Sequence, residues 1–323
     1  MLLAACAPTI QRAQSVDGLM EGPRFDVAAE RFISFDGAPL GLTAWLPSEG
    51  QEPHAVIIGL HGMNDYANTF YLAGPWFAER GVALYAYDAR GFGRSPNRGI
   101  WPGERLMTED LRTAVRVARR QHPNATIAIV GDSMGAASAM ATFGAADAPE
   151  IDRLVLVAPA VWGWSTLPDH YALTLWLGAH LMPWRAVEPP RNVVRRITAS
   201  DNQEALLQAG RAPHMIWSTR IDALYGLVSL MERAHERSAN LDGDVLFLYG
   251  ANDQIIPRGS AIAAARRLPA SARTAHYENG WHWLLRDLQR EVVYADILAF
   301  IENPNAALPS EAPPLLPQLQ ANR

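Results

Sequence analysis

The chain has 323 residues, 49% of them hydrophobic and 19% charged, which is enough apolar material for a large core and too much for a disordered polypeptide. All 28 basic residues are arginine, so lysine Schiff-base chemistry, pyridoxal phosphate and the P-loop lysine are excluded. The net charge of -5 leaves no basic face to neutralise a run of phosphates, so nucleic acid is not an expected partner, and the single cysteine, Cys6, excludes an intrachain disulfide and a cysteine-rich metal site. Neither a cofactor nor a metal is expected.

At the N-terminus, Leu3-Ala4-Ala5-Cys6 resembles a bacterial lipobox, whose cysteine carries lipid after cleavage. Only five residues precede Cys6, short of the charged and apolar stretches of a signal peptide, so this reading needs a start upstream of Met1. The expectation is a membrane-attached lipoprotein in which 1–23 is an N-terminal segment and 11–23 a tether. The alternative is an inert thiol at a frayed end of a cytoplasmic protein. No stretch reaches the roughly 20 apolar residues of a spanning helix.

Short β-branched runs then alternate with longer amphipathic segments, the pattern of an α/β fold whose mostly parallel sheet is covered by helices on both faces. Strands are expected at 31–35, 42–46 and 55–60, a helix near 69–80 and a strand at 82–87. A helix is predicted over 108–121, where Thr108 can cap the first turn, Glu109 and Asp110 suit the dipole, and Leu111, Val115 and Ala118 share a face. A strand at 126–131 runs into an Ala-rich helix at 133–145, and a sixth strand lies at 154–158. The next strand, 245–250, follows only after 86 intervening residues, although a βαβ crossover needs only about a dozen, so a helical cap is expected to be inserted over about 161–243. Within it, Asp201 and Glu204 have capping-box spacing. A helix at 260–268, the eighth strand at 272–277 and a helix at 287–301 complete a domain over 24–302, and 303–323 is a Pro-rich tail, either surface-hugging or disordered.

Gly131-Asp132-Ser133-Met134-Gly135 places a G-x-S-x-G pentapeptide between an apolar strand and a helix, the context in which this motif exposes a nucleophilic serine. A serine needs a base, and the base a partner that fixes its tautomer. Asp253 follows the strand 245–250 and His282 the strand 272–277, at the same sheet edge as Ser133 and in the order Ser, acid, His. Asp244 rivals the acid but precedes its strand, and His276 rivals the base but lies within one. Leu60-His61-Gly62-Met63 follows the strand 55–60, so the backbone amides of Met63 and Met134 are the expected oxyanion donors, with His61 bracing the loop.

These segments, with Tyr87-Asp88-Ala89-Arg90-Gly91-Phe92-Gly93-Arg94-Ser95, Tyr249-Gly250-Ala251-Asn252-Asp253 and Trp281-His282, resemble the monoacylglycerol lipase and lysophospholipase branch of the α/β-hydrolases over about 30–302. The resemblance implies an eight-stranded α/β-hydrolase sheet and a serine hydrolase that cleaves monoacylglycerol or lysophospholipid through an acyl-enzyme. It also implies structural roles for Asp88, Arg90 and Ser95. The chain departs from the family pattern at Asp132, where histidine is usual, and in a weakly matching cap.

The stretch 162–184 is crowded with apolar residues, and Trp162, Trp164 and Trp176 are its expected acyl-binding aromatics, lining a tunnel or facing a membrane surface together with Cys6. Alternatives are a small-ester carboxylesterase or a proline-type aminopeptidase of the same fold, the latter needing an acidic grip for a free amine where 161–184 offers only Asp169. A noncatalytic binding protein is the third. The oligomeric state is left open.

Overall fold

A computed structural model describes residues 7–14, 22–188 and 197–316. Cys6, most of the expected tether and the end of the Pro-rich tail lie outside the described residues.

Among the described residues, nine strands form one sheet. Three come first in antiparallel array: β1 (Arg24–Asp26), β2 (Arg31–Ile33) and β3 (Pro39–Trp45). Then follow β4 (Ala55–Leu60), β5 (Val82–Tyr87), β6 (Thr126–Asp132) and β7 (Arg153–Val157). A two-residue ribbon, β8 (Ala186–Val187) with β9 (Thr219–Arg220), stands apart from the sheet, which resumes with β10 (Asp244–Gly250) and β11 (Arg273–Tyr277). The spatial order is β1-β2-β3-β5-β4-β6-β7-β10-β11, with β3 antiparallel to β5 and every later pair parallel. The sequence led to eight strands. The ninth, β1, is three residues long, too short for its alternation to register; it pairs with β2, and its Phe25 stacks on Tyr85 at 4.6 Å between ring centroids.

The central strands are buried on both faces, as a sheet sandwiched by helices requires. On one face lie α1 (Ala73–Ala78) and, at the end of the fold, α8 (Arg290–Glu302), contributing Phe77, Tyr294, Ile297 and Phe300. On the other lie α2 (Glu104–Gln121), α3 (Met134–Phe143) and α7 (Arg258–Ala265). Between β7 and β10 come α4 (Asp169–Leu181), α5 (Gln203–Arg211) and α6 (Ile221–Arg237), the last packed along α3.

Several expected element ends move for local reasons. α2 begins at Glu104 rather than Thr108, because Gly103 at φ 79° breaks the chain there and Leu106 and Met107 reach the core; Thr108 instead donates to the Arg105 carbonyl. The helix expected at 69–80 divides into a 3-10 turn at Ala67–Phe70 and α1. Asn202, not Asp201, caps α5 through Ala205 N at 3.2 Å, and Asp201 accepts from the Leu288 amide instead. The described parts of the two tails are held: Gln11 N donates to Trp101 O at 3.0 Å, and His276 N donates to Pro313 O at 2.8 Å while Leu315 is buried.

Candidate active site

Parallel strands deliver their C-terminal loops to one edge, and the loops after β4, β6, β10 and β11 carry the residues singled out by sequence. Between β6 and α3, Ser133 sits at φ 51° and ψ −110°. Such a backbone costs a non-glycine residue roughly 1–3 kcal/mol and persists only where its surroundings fix it. Here the Ser133 amide donates to Val157 O at 2.9 Å, and its carbonyl accepts from Ala137 N at 3.0 Å and Ala160 N at 3.1 Å. The flanking glycines are steric necessities: a Cβ on Gly131 would come within 2.6 Å of the Ala136 backbone, and one on Gly135 would collide with the Leu60 carbonyl.

His282 Nδ1 lies 2.8 Å from Asp253 Oδ2, with His282 only 3% exposed. Asp253 is fixed in turn, its Oδ1 accepting from the amides of Ile255 at 2.8 Å and Ile256 at 2.9 Å. The carboxylate therefore receives Nδ1–H, which leaves Nε2 as the basic nitrogen. Burial by itself disfavours the imidazolium, but the charges of Asp253 and Asp132 outweigh it and the His282 pKa is raised. The two loops meet because Gly250 and Gly280 leave room: a Cβ on Gly250 would stand 2.6 Å from the Gly280 carbonyl. Behind His282, Asp287 accepts from Trp281 N at 2.7 Å and from Ser200 Oγ at 2.6 Å, and burial pushes its pKa up to about 7.

Met63 and Met134 face this corner from two sides, on the loop after β4 and at the first turn of α3. Among the described residues neither amide donates to a loop or cap carbonyl. His61 braces the loop with both nitrogens, Nδ1 at 2.7 Å from Gly62 O and Nε2 accepting from Ala89 N at 2.9 Å, an arrangement that fixes a neutral tautomer. The rivals lie elsewhere: Asp244 pairs with Arg153 at the far end of β10, and His276 faces Tyr249 within β11. Asp88, Arg90 and Ser95 hold loops, with Arg90 clamped between Asp36 and Asp110 and Ser95 Oγ donating to Asp88 O at 2.5 Å.

Two cavities converge on Ser133, sharing Met63 and Ile255. The first, about 790 Å³, runs between α4 and α6 and has no charged residue in its lining among the described residues; Trp162, Leu167, Leu175, Leu181 and Met231 are among its walls. The second, about 710 Å³, contains His282, Asp132, Asp65, Arg286, Asn64 and Trp283. Of the three tryptophans expected to bind an acyl chain, only Trp162 lines the apolar cavity. Trp164 packs inward, its Nε1 donating to Ser229 Oγ at 3.1 Å beside Tyr225, because α6 offers it both a hydroxyl and a ring. Trp176 is 48% exposed and stacks on His180, one helical turn away on the outer side of α4.

The polar cavity contains groups that sequence reasoning missed. Arg286 pairs with Asp65 at 2.8 Å, both nearly inaccessible, under the Trp283 ring, and no local pattern marks either residue. Asp132 was visible only as a departure from the usual motif; burial pushes its pKa up to about 6 against the pull of His282 and Arg286.

The strand order, the antiparallel start and the strained serine at the turn after β6 make this protein an α/β-hydrolase. Residues 51–289 match the family described as "Serine aminopeptidase, S33", and the chain belongs to that family. It is 26% identical over 275 residues to a monoacylglycerol lipase of Mycolicibacterium smegmatis, covering 84% of this chain and 95% of that relative, in agreement with the branch its sequence resembles. A soluble variant of the Saccharomyces cerevisiae monoglyceride lipase superposes with a TM-score of 0.71 at 16% identity, over 92% of this chain and 98% of that one. A carboxyl esterase from Bacillus coagulans gives 0.67 at 22% identity, over 84% and 96%.

Proposed function

We propose that this chain hydrolyses carboxylic esters of lipids, with monoacylglycerol as the leading substrate class and lysophospholipid as the neighbouring one. The observation that carries the reading is a cavity of about 790 Å³, walled largely by apolar side chains such as Trp162, Leu175 and Met231, that opens onto a serine held in nucleophile-elbow geometry. In this reading Ser133 Oγ attacks the ester carbonyl while His282 Nε2 takes its proton. Asp253 holds the imidazole in the required tautomer and stabilises the imidazolium. The amides of Met63 and Met134 receive the developing oxyanion. His282 then returns the proton to the departing alcohol, and water releases the acyl group by the same path in reverse.

Because the departing oxygen must lie by the proton donor, the cavity containing His282 takes the alcohol and the apolar one the acyl chain. The outer side of α4, with Leu173 and Trp176 exposed, supports docking on a lipid surface. Among the described residues no helix is long and apolar enough to cross a membrane. Attachment through Cys6 rests on the lipobox-like tetrapeptide, and incorporation of a fatty-acid label tests it.

An aminopeptidase reading takes support from the family description alone. Among the described residues the lining of the acyl cavity offers a free amine no charged partner; the carboxylates near Ser133, of Asp65, Asp132 and Glu188, belong to the other cavity. Labelling by a fluorophosphonate probe, followed by hydrolysis of esters of graded chain length, tests the proposal: activity that rises from short to long chains supports it, and hydrolysis confined to acetate or butyrate, or to aminoacyl amides, overturns it.

A further inference from the structure

We infer that Asn64 is a positioning residue, which ties the oxyanion loop to the insertion so that the placement of the Met63 amide depends on how the insertion is seated. The inference rests on the reading of Ser133 as nucleophile and of Met63 as an oxyanion donor. The loop after β4 is fixed at both ends by the core. At its start His61 is held through both ring nitrogens, and Gly62 lies so close to the nucleophile that a Cβ there would come within 3.4 Å of the Ser133 Cβ. At its end the Asp65 carboxylate accepts from Thr69 Oγ1 at 3.0 Å and pairs with Arg286 at 2.8 Å.

Between these anchors the chain turns, Asp65 N donating to Gly62 O at 3.3 Å, with Met63 and Asn64 as the central residues. Asn64 stands at φ 65°, where glycine or asparagine is the usual occupant of a turn. Glycine would serve the backbone equally well, so the turn alone does not call for a side chain. The asparagine side chain has a task of its own: Nδ2 donates to Thr219 Oγ1 at 2.7 Å in β9, 155 positions along the chain, and the Asn64 carbonyl accepts from Ile216 N at 2.9 Å. Among the described residues, both hydrogen bonds at Asn64 therefore run to the insertion. That side of the tie is itself anchored. Arg98 Nη2 donates to Met215 O at 2.8 Å, His214 meets the Tyr66 ring edge-on at 5.4 Å, and β9 leads directly into α6, which packs along α3.

An oxyanion donor acts only when its N–H is aimed at the place where charge develops, and a displacement of a fraction of an ångström weakens it. Met63 directly precedes Asn64, so a shift of the insertion at Ile216 or Thr219 reaches that amide through one residue. The insertion thereby serves the chemistry as well as the acyl chain. Even an ester too short to fill the space between α4 and α6 depends on it.

The test removes the tie from either side and reads hydrolysis of a water-soluble short-chain ester, corrected to the fraction of protein that a fluorophosphonate labels at completion. Asn64→Gly keeps the positive φ and loses the side-chain bond; Thr219→Val keeps the shape and loses the hydroxyl. Each should lower kcat about 10-fold with little change in KM, less than the roughly 10²–10³-fold for losing an oxyanion donor outright. The affinity for a trifluoromethyl ketone, whose adduct with Ser133 carries an oxyanion, should fall by the same factor. Thr219→Ser, which retains the hydroxyl, should recover most of the loss. Because the two variants remove one shared bond, the double variant should cost no more than either alone. A purely structural tie would lower the melting temperature and leave kcat and ketone affinity per labelled site unchanged, and that outcome overturns the inference. So does a loss confined to KM, a loss that Thr219→Ser does not recover, or a double variant in which the two losses add. The variants alter different elements, so a folding failure of one leaves the other to decide. Unmodified protein that neither takes up the probe nor hydrolyses any ester would instead overturn the underlying reading of the site.

Discussion

The two cavities that meet at Ser133 are built by opposite means. The polar one is closed on one side by the segment between β7 and β10, through Ile197, Met215 and Trp217, and on the other by core loops whose acidic groups are held by hydrogen bonds: Asp65 by Arg286 and Thr69 and, behind the lining, Asp253 by two amides and a histidine and Asp287 by Ser200 and the Trp281 amide. The apolar one is walled by α4 and α6 of the insertion, where contacts are dispersive and much of α4 lies open, with Leu173, Trp176 and Leu181 exposed. Charged groups acting at a reacting centre must be held to within a fraction of an ångström, and hydrogen bonds supply that precision. Accommodating acyl chains of varied length needs only area and shape. The chemistry should therefore tolerate little change and the chain preference much.

The sharpest break of that contrast is Ser133→Ala, for which we expect loss of fluorophosphonate labelling and a fall in turnover of about a million-fold, the scale for removing a nucleophilic serine. Retained labelling would place the nucleophile elsewhere. Next, Asp253→Asn should cost about 10⁴-fold, since the amide can present the wrong tautomer to His282, and His282→Ala should be at least as severe. Circular dichroism should confirm that the fold survives, because Asn can still accept from Ile255 and Ile256 through its carbonyl oxygen.

On the other side of the contrast, specificity should rise by up to about fourfold per methylene buried in the apolar cavity, from roughly 0.8 kcal/mol each. Trp162→Ala should flatten this climb and leave short esters nearly untouched. Trp164→Ala, in contact with Ser229 and Tyr225, should lower the melting temperature and depress all substrates together. If the two variants gave the same profile, the division between lining and packing tryptophans would be wrong.

The smallest effect joins the two regions. Asp132 helps hold the His282 pKa up, so Asp132→Asn should let the histidine lose its proton at lower pH. The active, neutral base then persists into more acidic solution, and the acid limb of kcat/KM for a water-soluble short ester should move to lower pH. A shift toward higher pH would mean that the carboxylate does not act on His282.

The strand-turn-helix placement of Ser133, the loop positions of Asp253 and His282, and the 86-residue gap after the sixth predicted strand were all legible in the sequence, because each is local: a periodicity, a glycine pair or a loop length. Expectations failed where two segments distant in sequence decide the outcome. Trp164 and Trp176 occupy the same apolar stretch as Trp162, and only the packing of α4 on α6 separates a cavity wall from an inward anchor and an outward ring. Asp65 and Arg286 are 221 positions apart, so no sequence window holds the ion pair that lines the same cavity as Asp132. The chain by itself determined which residues stand at one edge of the sheet, since parallel strands and short loops leave few places for them. Which surfaces face each other across that edge was decided by tertiary packing alone, because side-chain burial depends on neighbours that the local pattern does not contain.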